Sequence, residues 1–145
     1  MPTVVRGRTL AASPQEVWDV LADPHHLPRW WPRVERVESV DEDAWTCVLR
    51  TDRGNVVRAD YRLVDSQEGR RREWAQQLVG SPFERLLREH RTAVSLAAAN
   101  GGSEVELTVV AKARGTARLG AFMMRRAQQR QLDEALDALA EVVPS

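Results

Sequence analysis

The chain has 145 residues, 43% of them hydrophobic and 29% charged, with 21 basic residues balanced by 21 acidic ones. That length suits one domain with a substantial core, taken as residues 1–145, and the zero formal charge gives no argument for nucleic acid or an anionic membrane as partner. No run approaches the roughly 18 apolar residues of a membrane span, MPTVVRGRTLAAS carries charge where a signal peptide is apolar, and the single cysteine, Cys47, cannot form an internal disulfide; the expectation is a cytoplasmic protein.

In chain order, residues 3–11, TVVRGRTLA, predict a first strand. SPQE, Ser13 to Glu16, is a capping box: serine at the cap, proline at the first helical position and glutamate at the third. The helix it opens, PQEVWDVLAD, places Val17 and Leu21 on one face. Asp23-Pro24 repeats the signal and predicts a second short helix, which Pro28 and Pro32 keep short. Six strands follow: VERVESV, AWTCVLRT, NVVRADYRLVD, RRREWAQQL, HRTAVSLAA and SEVELTVVAKAR. The last alternates most cleanly, with Val105, Leu107, Val109, Ala111 and Ala113 on one face. DED at 41–43, DRGN at 52–55, SQEG at 66–69 and NGGS at 100–103 are turn sequences, so the strands read as an antiparallel meander. The joint VGSPFERLLRE is longer and has room for a bulge or a helical turn. A final helix runs from near Ala117 to near Val142, with Thr116 as its cap. Val143, Leu139, Leu136 and Leu132 form its apolar stripe. The stripe fails over RRAQQRQ, Arg125 to Gln131, and apolar character returns at Leu119, Phe122, Met123 and Met124.

A seven-stranded antiparallel sheet must bury one face, and only the last helix is long enough to cover it. The fold class is therefore α+β, a curved sheet wrapped around a long C-terminal helix, with two short helices between strands 1 and 2. This order, with SPQEVWDVLADPHHLPRWWPRVERVE early and GAFMMRRAQQRQLDEALDALAEV late, resembles the helix-grip superfamily. That superfamily, also called SRPBCC or START-like, includes START lipid-transfer domains, the birch pollen allergen type and bacterial polyketide cyclases and dehydrases. The resemblance implies a cavity between sheet and helix that holds an apolar or aromatic molecule, polyketide- or lipid-like. It also implies cyclisation or dehydration of a polyketide-like chain, if the protein is an enzyme. A non-catalytic carrier or sensor of such molecules is the alternative. A third is an interaction module acting on a protein or membrane through Arg114, Arg118, Arg125, Arg126 and Arg130.

Strand phase selects the side chains that face the cavity. Trp45, Cys47 and Leu49 share a face; so do Val57, Ala59, Tyr61 and Leu63; so do Trp74, Gln76 and Leu78; and so do His90, Thr92, Val94 and Leu96. The candidate ligand contacts are Trp30, Trp31, Trp45, Tyr61, Trp74, Gln76, His90, Phe122 and Arg126. Gln129 is an alternative to Arg126 on the helix, where the broken stripe arches over a wet cavity or simply faces water. Tyr61 and His90 are the candidates for proton transfer, His90 because imidazole alone titrates near neutrality. Trp30 and Trp31 either fill the space or line it, and as neighbours they are expected to split. Adjacent His25 and His26 point about 100° apart on a helix and read as a solvated surface. The sequence lacks metal-ligand spacing, and no cofactor is expected. Cys47 reads as a small buried thiol.

Overall fold

The computed structural model describes residues 3–115 and 120–144. Strand β1 (Thr3–Leu10) leads to helix α1 (Pro14–Leu21), a 3-10 turn (Pro24–His26) and helix α2 (Leu27–Trp30). Strands β2 (Val34–Glu38), β3 (Ala44–Arg50), β4 (Val56–Gln67), β5 (Arg71–Gln76), β6 (Leu87–Ala99) and β7 (Gly102–Ala113) follow, then helix α3 (Ala121–Val142). The strands form one seven-stranded antiparallel sheet in the order β1-β7-β6-β5-β4-β3-β2. Consecutive strands from β2 to β7 are neighbours, as short turns dictate, and β1 closes on β7.

The local signals act as written. Ser13 Oγ accepts from Glu16 N, and Glu16 Oε1 accepts from Ser13 N, completing the capping box; such a cap is worth about 1 kcal/mol. Asp23 caps the next turn by accepting from His25 N. Asp41 Oδ1 accepts from the backbone of Asp43 and Ala44, tightening the turn into β3. The β6–β7 turn places Asn100 and Gly101 at positive φ, 38° and 83°. From 79 to 86 the joint is a chain of turns rather than a helix, with Ser81 N donating to Leu78 O and Leu87 N to Phe83 O, and residues 87–89 already belong to β6. A register shift follows between Leu87 and Glu89.

The core lies where the concave face of the sheet meets the helices. Val105, Leu107, Val109 and Ala111 of β7 are fully buried against a stripe of Leu132, Ala135, Leu136, Leu139 and Val143. The start of α3 proposed near Ala117, with Thr116 as cap, lies outside the described residues, as do Arg118 and Leu119. Helix α3 lies along β1. Arg6 Nε is 3.4 Å from Asp133, Arg8 pairs with Asp137, and Arg125 donates to the carbonyl of Thr3 at 3.1 Å. The acidic residues late in α3, unfavourably placed for the helix dipole, are thus positioned to meet arginines of the neighbouring strand.

The corner between β1 and α1 is locked to the start of β7. Ser103 Oγ donates to the carbonyl of Ala12 at 2.7 Å, and a Cβ on Gly102 would stand 2.1 Å from the carbonyl oxygen of Leu10. Gly102→Ala is therefore expected to destabilise by roughly 1–3 kcal/mol through overpacking against backbone, read as a lower urea midpoint at unchanged m-value.

Candidate functional site

Four strands carry the site because their inward residues stand in cross-strand register. Trp45 of β3 faces Tyr61 of β4, and Tyr61 faces Gln76 of β5. Ala75 pairs with Arg91, so the next antiparallel step sets Gln76 opposite His90 of β6. One row along, Trp74 pairs with Thr92. Together with Leu27, Trp31, Val34, Cys47, Leu49, Phe83, Leu87 and Gln131, these side chains line a cavity of about 190 Å³, open on one side, between sheet, short helices and α3.

Its aromatic wall is continuous. Trp31 meets Trp74 edge-on with ring centroids 6.3 Å apart, Trp74 meets Trp45 at 6.1 Å, and Trp45 stacks on Tyr61 at 6.2 Å with rings 16° from parallel. Trp30 extends this chain from behind, edge-on to Trp31 at 5.3 Å. Over the Trp45 ring lies Arg72, 8% exposed and on the same face of β5 as Trp74 and Gln76, its guanidinium carbon 5.6 Å from the indole centroid. Burial lowers the Arg72 pKa, against the opposing charge of Asp23. A guanidinium over an indole face is a favourable cation–π arrangement.

Among the described residues, the cavity walls carry no ionised group at neutral pH. Burial pushes the Cys47 thiol up to about 12, only partly offset by the neighbouring Trp45 indole. Burial likewise raises the Tyr61 phenol, and nearby Cys47 adds to the shift, so the hydroxyl keeps its proton. Burial pushes His90 down to about 4, against a smaller contribution from its own backbone, so the imidazole is neutral. The remaining polar lining residues, Gln76, Thr92 and Gln131, are uncharged. Trp45 Nε1 and Gln76 Nε2 are both shut off from solvent; the Trp45 N–H turns to the Cys47 thiol, whose pKa it lowers, and Gln76 Nε2 has no hydrogen-bond partner among the described residues.

Trp31, Trp45, Tyr61, Trp74, Gln76 and His90 come together around this cavity; three other expected contacts do not. Trp30 is 1% exposed and belongs to the core beneath the wall. Phe122 is 69% exposed, and Arg126 lies over its ring on the outer surface, 5.8 Å from the centroid. Helix rotation explains both. Arg126 precedes Leu132 by six residues, which turns it about 120° from the buried stripe, and Phe122 stands about 80° to one side. Gln129, the alternative contact, is also absent from the lining, and α3 reaches the cavity through Gln131 instead. Gln131 also borders an outer cleft of about 300 Å³ formed with Pro32, Arg33, Met124, Gln128 and Glu134. Cys47 lies within the lining, Phe83 enters it from the irregular joint, where no periodicity marks it, and Leu87 enters it from the start of β6, just before the register shift. His25 and His26 are not simply solvated: both rings turn to Asp23, at 2.9 and 3.9 Å, and His26 Nδ1 is buried.

The family model described as polyketide cyclase / dehydrase and lipid transport matches residues 1–144, and the chain belongs to that family. A search of the curated proteins finds no match. Among solved structures, a START superfamily protein from Mycobacterium smegmatis is similar over 97% of this chain and 96% of its own, with TM-score 0.81 at 11% identity. A protein of Thermus thermophilus is similar over 97% and 95%, with TM-score 0.78 at 18% identity. The di-domain ARO/CYC StfQ from the steffimycin biosynthetic pathway is similar over 96% of this chain and 49% of its own, with TM-score 0.78 at 14% identity. At these identities the likeness is one of fold: a curved antiparallel sheet around a long C-terminal helix. Among the described residues, no helix is long and apolar enough to cross a membrane.

Proposed function

We propose that this protein binds a small, flat, apolar molecule in the cavity between the sheet and α3. The observation that carries this reading is the wall of Trp31, Trp74, Trp45 and Tyr61 around a void of about 190 Å³. A few polar groups among aromatic walls are the usual make-up of a small-molecule site. The test is native mass spectrometry of protein purified gently from its host, with solvent extraction of any bound species. A bound molecule of low mass is the expected result. Bare protein, with no thermal stabilisation by a panel of neutral aromatics, would overturn the reading.

A second reading adds chemistry: cyclisation with loss of water in a polyketide-like ligand. What favours it is that Tyr61 and His90 line the same cavity, one a proton donor, the other a neutral imidazole able to accept. It stands second because an imidazole whose conjugate acid has a pKa of about 4 is a weak base. If the protein is an enzyme, Tyr61→Phe and His90→Gln should each lower turnover about 100-fold or more while ligand affinity stays within about tenfold. Equal losses in affinity and turnover would assign both residues to binding alone.

A further inference from the structure

We propose that one end of the sheet docks on an anionic lipid bilayer. The zero formal charge of the chain hides a segregation of charge along the strands. One sheet end is made by the starts of β1, β2, β4 and β6 and the finishes of β3, β5 and β7. The 51–55 turn, the 79–86 joint and the first half of α3 gather there, with α3 tied to β1 by the hydrogen bond from Arg125 to the Thr3 carbonyl. Exposed arginines crowd this end: Arg53 in the turn, Arg85 in the joint, Arg88 at the start of β6, Arg114 just past β7, and Arg126 and Arg130 on α3. Among the described residues, none of the six stands in an ion pair. The carboxylates nearby are already matched, Asp52 by Arg33, Glu35 by Arg50, and Glu89 by Arg91 and Lys112. The turns at the opposite end carry Asp41, Glu42, Asp43 and Glu68, all exposed. A surface of negative potential would orient such a molecule, arginine end first.

The second observation is apolar. Among the described residues, the four most exposed large hydrophobic side chains are Val79, Met123, Phe122 and Leu86, at 88%, 75%, 69% and 55%. All four belong to the arginine end, two in the joint and two in the first turn of α3. Single exposed apolar residues need no explanation, but four gathered among unpaired cations do. Phe122, Arg126 and Arg130 follow at four-residue spacing on the outer face of α3, and the Arg126 guanidinium lies over the Phe122 ring. That alternation of ring and guanidinium suits a helix lying in a lipid interface, the ring toward acyl chains and the arginines toward phosphates. Nucleic acid would pair with the arginines but offer Val79, Leu86 and Met123 no apolar phase, so the bilayer is favoured. The cavity lies toward this end too, lined by Phe83 of the joint, Leu49 late in β3 and Val34 at the start of β2. Docking would set that end against the phase in which neutral apolar molecules concentrate, whatever the cavity holds.

Flotation with lipid vesicles tests the proposal. In about 50 mM salt, vesicles of phosphatidylglycerol and phosphatidylcholine in equal parts should carry the protein up a density gradient, and about 500 mM salt should release it. Vesicles of phosphatidylcholine alone should leave it behind. Phe122→Ser with Met123→Ser, and separately Arg126→Glu with Arg130→Glu, should each lower the lipid partition coefficient at least about tenfold. All four side chains named in these variants are exposed or lie on the outer face, so an unchanged Tm separates loss of docking from loss of fold. No flotation with the anionic vesicles, equal flotation with both kinds, or a serine pair that floats as the native protein does would overturn the proposal. Binding to double-stranded DNA that outcompetes the anionic vesicles would overturn it in favour of nucleic acid.

Discussion

Trp30→Ala is expected to destabilise the protein by about 3–5 kcal/mol, the range for truncating a large buried aromatic side chain, whereas Trp31→Ala should cost roughly 1–2 kcal/mol. The two residues are adjacent and chemically identical, so the difference isolates position. Trp30 is 1% exposed inside the core, and its removal leaves a void within the buried cluster it belongs to. Trp31 is half-buried, packs on Trp74 and lines the cavity. Its loss enlarges a space that already exists. For a chain of this length the Trp30 variant should lose about 6–20 °C in Tm. The Trp31 variant should lose only a few degrees but bind 1-tetralone, a neutral aromatic probe, about tenfold more weakly, the scale of one lost aromatic contact. Calorimetric unfolding and a binding titration on both variants decide the matter; equal losses of stability would place both tryptophans in the core.

The second large effect is one of pH. In the unfolded chain His90 titrates near its ordinary 6.5, and in the folded protein burial moves it to about 4. Between those values the unfolded state binds the extra proton, so stability falls as pH drops through that window. The shift corresponds to about 3 kcal/mol, present in full above about pH 6.5 and lost at about pH 4. Carboxylates act lower. Glu38, held down first by a hydrogen bond from Arg58, and Glu89, held down first by one from Lys112, give up stability only below their ordinary 4.5. A Tm series from pH 7 to 4.5 should therefore decline in the native protein and stay flatter in His90→Gln. Parallel curves would mean that His90 titrates as an exposed histidine does.

Much of this site is legible in the sequence because strands report their own phase. In NVVRADYRLV only one of the two alternating sets is apolar, and that choice alone turns Tyr61 inward; the same logic turns Trp45, Trp74, Gln76, Thr92 and His90 to the cavity. The helix side is less legible. From Arg125 to Gln131 only Ala127 is apolar, so nothing marks which residue faces inward, and Gln131 rather than Arg126 or Gln129 lines the cavity. Phe83 and Leu87 are hidden for different reasons: the chain of turns around Phe83 has no period to read, and the register shift between Leu87 and Glu89 breaks the alternation that would set Leu87 against His90. Arg72 shares the inward face of β5 with Trp74 and Gln76, yet an arginine in a strand ordinarily marks the solvent face, so its residue type masks what its phase implies; it is buried with its guanidinium over Trp45. The pairing of Asp133 and Asp137 with Arg6 and Arg8 joins residues more than 120 positions apart, beyond any local pattern.

The most direct test of a ligand held between Trp31, Trp45, Trp74 and Gln76 is the indole N–H region of a nitrogen-15 NMR spectrum during titration with 1-tetralone. The five tryptophans give five separate reporters. Trp31, Trp45 and Trp74, the three indoles that line the cavity, should move together. Trp18, already donating to Glu68 at 3.2 Å, and Trp30, behind the wall, should stay in place. Saturable shifts in that pattern are the expected result. No saturable shift, or shifts confined to Trp18 and Trp30, would contradict a ligand site in this cavity.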